Sequence, residues 1–255
     1  GYHHNPFDAK KALESFDPKK DVVIIGTRKT AIDVSLRLFT EEKLEGKVTM
    51  VSHNGLMPSI YAKQFINQPL QYLHDYIGSV DGQLSLDALL PLFWKELSNV
   101  QGTNVTLASV AKSYKDISAL DWLNQQIEEC DRTLKPWQQV LVSIFPLIPT
   151  IWRRLSVTDQ ETFLKKYYSL FMAYAAGFPQ DAAKEVRKLI EEDRLDVRGG
   201  LTKISATEDG QFEVQFENGD NLTTSQLFNA TGAGYDISSL PVYRNMCEQG
   251  LIVAH

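Results

Sequence analysis

The sequence predicts an α/β fold of three layers with a helical insertion. Three observations predict it. An unbroken apolar run, Val22-Val23-Ile24-Ile25, passes through Gly26 into a stretch where Ile32, Leu36 and Phe39 share one helical face. A second short run, Lys47 to Val51, closes a β-α-β unit of roughly 30 residues. Far downstream, the apolar period changes from helical to alternating.

Taken in order, residues 1–20 are polar, contain Pro6 and Pro18, and read as an entry linker. Val22 to Ile25 is continuous enough for a central parallel strand covered on both faces. After the second strand comes a long helical region. Leu86, Leu89, Leu90, Phe93 and Leu97 make one amphipathic helix, and Ile117–Gln126, Pro136–Arg154 and Thr158–Ala175 suggest more. Trp122, Trp137 and Trp152 are expected to fill the helical core. Pro179 and Gln180 open a further helix with Ala182, Val186 and Leu189 on one face. Short strands then follow at Leu195–Val197, Leu201–Ala206, Phe212–Phe216 and Gln226–Ala230. Asp209-Gly210 and Asn218-Gly219 read as the hairpin turns among them.

Bulk properties exclude some classes. The chain has 255 residues, 43% of them hydrophobic, which suffices for one large or two modest cores. Its 26 basic residues against 32 acidic ones leave a net charge of −6 and no basic field for nucleic acid. Cys130 and Cys247 form no C-x-x-C pair, which reads as a reducing, cytoplasmic setting. The longest apolar run, Val140 to Trp152, is broken by Ser143, Pro146, Pro149 and Thr150. It falls short of the roughly 20 apolar residues that span a bilayer. No signal peptide is read at the start.

The chemistry concentrates at Gly26-Thr27-Arg28-Lys29-Thr30-Ala31. A strand, a glycine turn and a helix start in this order form a Rossmann-like dinucleotide loop, where backbone N–H groups face a pyrophosphate. In the G-x-G-x-x-G/A pattern, Gly26 supplies the first glycine and Ala31 an accepted third. Arg28 replaces the second, which normally lets backbone approach phosphate. Two outcomes follow: Arg28 blocks the pyrophosphate, or the loop relaxes and Arg28 and Lys29 contact phosphate by charge. At the end of the second strand, Ser52-His53-Asn54 offers neither the carboxylate that holds an NAD ribose nor the arginine that suits NADP. His53 and His74 stand without partner motifs. Glu128-Glu129 and Glu191-Glu192-Asp193 read as solvated helix faces. No catalytic nucleophile, general base or metal-ligand cluster is visible.

Three segments together resemble the bacterial FAD–NAD(P)-binding proteins of the YdhS-like group, related to flavin monooxygenases. The first is Asn5-Pro6-Phe7-Asp8 followed by Val22 to Thr27 and Thr30-Ala31-Ile32-Asp33, where Thr27, Thr30 and Asp33 match the family loop and Arg28 does not. The second is Trp137, Pro146, Trp152, Leu155 and Phe163, similar to the family's inserted helices. The third is Leu189, Leu195, Val197 and Gly199, leading to Asn229-Ala230-Thr231-Gly232. Where the family carries an Arg/His-rich stretch, this chain has Tyr174-Ala175-Ala176-Gly177-Phe178-Pro179.

The resemblance implies an NAD(P)-binding region inserted into an FAD domain. Residues 21–115 and 194–237 would form the Rossmann-like NAD(P)-binding domain and 116–193 its helical insertion. Residues 1–20 and 238–255 would connect to an FAD domain outside this chain. It implies NAD or NADP at Gly26, Thr27, Arg28, Lys29, Thr30, Ala31, Ser52, His53 and Gly232. FAD would be held in the intact protein, and an unknown small molecule would be the substrate. The alternative is a degenerate module that serves as a structural cap or interaction scaffold.

Overall fold

The computed structural model describes residues 1–4, 16–66, 68–115, 117–132, 135–232 and 240–252. The Asn5–Asp8 motif, residues 233–239 and the last three residues lie outside them. Strands Tyr2–His3 (β1), Leu227–Asn229 (β8), Val22–Ile25 (β2), Val48–Val51 (β3) and Leu195–Arg198 (β4) lie side by side in that spatial order, all parallel. This is the predicted α/β, Rossmann-like architecture. β2 and β3 fall where the apolar runs place them.

The two faces of the sheet explain why those runs do not alternate. Side chains point to opposite faces at successive residues. Val22 and Ile24 enter one core, together with Val48, Met50, Leu195 and Phe228. Val23 enters the other, with Val51 and Leu227. The first face is covered by helices Lys29–Thr40 (α1), Ala119–Arg132 (α5) and Gln180–Glu191 (α10), through residues such as Ile32, Leu123 and Val186. The second is covered by an antiparallel three-stranded sheet, Leu201–Ala206 (β5), Phe212–Phe216 (β6) and Asn221–Thr224 (β7). Leu201, Val214 and Phe216 close that core. The three layers are therefore helices, parallel sheet and antiparallel sheet. Gly210 and Gly219 make the two hairpin turns with φ of 78° and 87°, as their dipeptides predict.

Between β3 and β4 the chain builds a helical body. It contains Tyr72–Ser79 (α2), Leu86–Gln101 (α3), Leu107–Lys115 (α4), Pro136–Ile144 (α6), Ile148–Arg154 (α7), Val157–Lys166 (α8) and Tyr168–Ala175 (α9). The Pro136–Arg154 stretch is two helices joined by a 3-10 turn at Phe145–Leu147, because Pro146 and Pro149 have no N–H to donate. The Thr158–Ala175 stretch also divides, at Tyr167, whose φ of −116° lies outside the helical range. Leu73, Leu89 and Leu97 pack with Trp137, Val140 and Leu141 in this body's core. Trp137 and Trp152 belong to it as expected, whereas Trp122 packs into the core under the parallel sheet.

Residues 56–66 carry no helix or strand of their own, and their backbone is secured by side chains from the helices. Ala62 N–H donates to Gln138 Oε1 (2.7 Å), and the buried Lys135 ammonium donates to the Ile60 carbonyl (3.1 Å). Gln68 N–H donates to Ser143 Oγ (2.8 Å) just beyond. These bonds satisfy backbone groups that burial would otherwise leave unpaired. Within the 1–20 segment, expected as a linker, Tyr2–His3 adds an edge strand; His3 stacks on Phe228 with centroids 4.1 Å apart.

Candidate functional site

The chain runs from β2 to β3 and β4 on one side, then returns to β8 on the other side of β2. The crevice beyond the carboxyl ends of β2 and β8 is therefore a topological switch point, where open α/β sheets bind ligands. Gly26 ends β2 at this point. Its φ is +119°, and a Cβ placed there would stand 2.6 Å from the Ala230 carbonyl oxygen. Both facts exclude a side chain. Gly26 N–H donates to Val51 O (2.7 Å), and Ala230 N–H donates to Ile25 O (2.9 Å), so the three strand ends are knitted together.

Thr27 is buried. Its hydroxyl donates to Leu56 O (2.7 Å) and lies 3.1 Å from Ser52 Oγ, which accepts from Gly55 N–H (2.9 Å). Thr27 and Ser52 are thus brought together, and they lock the first loop to the one after β3. His53 projects from that second loop into solvent, and its carbonyl accepts Gly200 N–H (2.8 Å). Lys29 opens α1 with its ammonium 5.7 Å from the Tyr61 ring centroid. Thr30 is half-buried, and Ala31 is fully buried where helix meets sheet. Gly232 is exposed beyond β8 with φ +97° and open space around it. Next to it, Thr231 N–H and Oγ1 both donate to Asn229 Oδ1 (3.2 and 2.8 Å).

Arg28 takes a course that neither sequence-based outcome anticipates. Its backbone is extended (φ −104°, ψ −166°), so the position imposes no left-handed demand for glycine. Its guanidinium reaches across to α9, donating to the Ser169 carbonyl (2.9 Å) and hydroxyl (2.8 Å). Arg28 therefore ties the loop to the helical body. No motif marks Ser169, and 141 positions separate the two residues, so sequence reasoning had no signal for this pair.

The electrostatics around the loop favour an anion. The first turn of α1 holds no acidic residue, and the helix dipole places partial positive charge there. Asp33 lies one turn on; burial raises its carboxyl above the ordinary range, against the pull of Lys29. Tyr114 donates its hydroxyl to Met57 O (3.0 Å), and burial pushes its phenol well above the usual value, followed by the effect of Tyr174 and opposed by Arg28. It is a neutral hydrogen-bond donor at any ordinary pH. Thr27 and Arg28 donate to groups within the protein, so the donors left at this crevice are the first-turn N–H groups of α1 and the Lys29 ammonium. Among the described residues there is no second strand-glycine-helix unit, no cluster of three His, Cys, Asp or Glu arranged for a metal, and no helix long and apolar enough to cross a membrane.

Fold and crevice together define the class: a Rossmann-like α/β domain with a loop at its switch point. No protein-family model matches the chain, and no curated protein matches it in sequence. Among solved structures, it is similar to ornithine hydroxylase PvdA from Pseudomonas aeruginosa, with 10% identity and a TM-score of 0.35 over 89% of this chain and 39% of that one. It is also similar to L-lysine 6-monooxygenase from Pseudomonas syringae, with 13% identity and a TM-score of 0.34 over 89% and 43%. A third is the HOCl-induced flavoprotein disulfide reductase RclA from Escherichia coli, with 10% identity and a TM-score of 0.17 over 84% and 56%. The chain thus spans about two fifths of the length of the two Pseudomonas enzymes.

Proposed function

We propose that this chain is the NAD(P)-binding-like region of an FAD-dependent oxidoreductase, of the YdhS-like kind its motifs resemble. The observation that carries the reading is the unit β2–Gly26–α1 placed at the sheet's switch point, with β8 and Gly232 on the opposite side of the same crevice. A nicotinamide bound here would supply hydride to a flavin held by segments outside this chain. The first-turn N–H groups of α1 have no intrahelical acceptor and face an anion's charge. Lys29 adds a cation at the same helix end. Thr27 and Ser52 hold the two crevice loops in register, and Gly232 leaves the far side open for close approach. Ser52 and His53 provide polar groups at the ribose end of the crevice, without the carboxylate that would select NAD.

A second reading has a specific observation in its favour. With its guanidinium engaged by Ser169, Arg28 serves the packing of α9 against the loop, as it would in a degenerate module used as a structural cap. Calorimetric titration of NADPH and NADH separates the two. The first reading predicts saturable binding to the chain, weakened or unchanged in Arg28→Gly. No binding to the native chain together with gained affinity in Arg28→Gly would establish the cap.

A further inference from the structure

The helical body forms a half-open cavity of about 850 Å³ that the nucleotide crevice does not use. All four tryptophans of the chain, Trp94, Trp122, Trp137 and Trp152, line it. Its walls come from α2 to α9, and its mouth reaches solvent at Phe145 and Leu164, which are 44% and 51% exposed. We propose that this cavity is a binding site for a small, uncharged, largely apolar or aromatic molecule with a hydrogen-bonding group at one end.

Three observations carry the proposal. First, the volume lies in the range of small-molecule sites, roughly 300–1,000 Å³, and the lining is mostly apolar and aromatic. An apolar void forfeits contacts in proportion to its size, so a cavity this large is stabilised by an occupant. Second, the walls are braced from outside, so the cavity is preformed. Glu96 is buried and its carboxylate accepts Tyr72 and Leu73 N–H (2.6 and 3.1 Å), which caps α2 from α3. Arg154 likewise donates to the Ile77 and Gly82 carbonyls (3.0 and 2.7 Å), fixing α7 against the segment between α2 and α3.

Third, the polar part of the wall is neutral overall. Glu129 is the acidic group there, and its carboxylate accepts Trp137 Nε1 (3.0 Å) and Gln126 Nε2 (3.2 Å) while Lys135 Nζ lies at 3.4 Å. Its charge is thereby matched within the protein, which leaves none to attract an ionic ligand. Tyr174 and Ser113, joined at 3.2 Å, offer hydroxyls to the ligand's polar end. Tyr174 lies on α9, the helix that also receives Arg28, so the cavity and the crevice share one wall.

The test uses the unmodified chain, without nucleotide, titrated with the neutral dye N-phenyl-1-naphthylamine. The expected result is saturable enhancement of dye emission at one dye per chain, with a matching loss of tryptophan emission. The anionic dye 8-anilinonaphthalene-1-sulfonate should bind at least about tenfold more weakly, because an ion loses hydration without gaining a partner. Leu90→Trp and Val110→Trp, which fill the cavity from two different walls, should each lower the affinity of the neutral dye by about tenfold or more at a melting midpoint no lower than that of the unmodified chain. Non-saturating dye emission, equal binding by folded filled variants, or tighter binding of the anionic dye would each overturn the proposal. The dye comparison on the unmodified chain decides the matter even where a filled variant does not fold. Absence of nucleotide keeps this outcome independent of the crevice reading.

Discussion

Gly26 is held to glycine by two independent constraints, a φ of +119° and the Ala230 carbonyl where a Cβ would go. The first was legible, since a strand that must turn at once into a helix calls for glycine. The second was not, because Ala230 lies on a strand that returns from the far end of the chain. Gly26→Ala should lower unfolding stability by about 2 kcal/mol or more, from backbone strain plus the steric displacement of β8. Urea denaturation measures it, and an unchanged midpoint would refute the tight apposition of β2 and β8. Arg28 shows the limit of motif reading. The departure from the glycine pattern was visible, but its consequence depends on Ser169, which no spacing connects to it. Two bonds from a charged donor are worth about 1.5–3 kcal/mol each at most, reduced here by partial exposure, which suffices to hold the loop to α9 without a nucleotide.

Most strand positions and both hairpin turns were legible because the sheet imposes a strong pattern, although the short strand Asn221–Thr224 was not read. Val22–Ile25 is apolar throughout since both its faces are covered, and Asp209-Gly210 and Asn218-Gly219 carry the turns. The helical body was less so. Its break near Pro146 divides a stretch with apolar residues on both sides, and its break at Tyr167 follows Lys165-Lys166 with no glycine or proline to mark it. The segment at 56–66 relies on Lys135 and Gln138, polar residues whose burial no local pattern announces. β1 went unread for a similar reason: two residues are too few to show a period. Its His3 is 5% exposed, stacked on Phe228, and its Nε2 has no hydrogen-bond partner. Burial lowers the imidazole below its ordinary value of 6.5. The folded state thus refuses a proton that the unfolded chain accepts. The stability contributed by this group is full above pH 6.5 and is lost as the pH falls from there towards the folded-state value. Melting midpoints measured from pH 8 to pH 5 should fall more steeply below pH 6.5 in the native chain than in His3→Phe. Parallel curves for the two would contradict the burial of His3.

At the scale of the whole molecule, the parallel sheet carries two covers and one large elaboration. The antiparallel sheet closes one face, α1, α5 and α10 the other, and the helical body stands between β3 and β4 in the chain. α9 joins these parts: it bonds Arg28 through Ser169 and walls the cavity with Phe171 and Tyr174. The α/β class, the position of the loop and the presence of inserted helices were all readable in the residues. The hairpins of the antiparallel cover carry local signals, but its docking on the parallel sheet, the cavity and the link between α9 and the loop arise from contacts across long stretches of chain, and no local signal reports them. The proposed ligand of the crevice between β2 and β8 is a dinucleotide. Hydrogen–deuterium exchange of the chain with and without saturating NADPH tests it most directly. The account predicts slowed exchange confined to residues 26–32 and 229–232. Unchanged exchange there at saturating nucleotide, or protection confined to other segments, would contradict it.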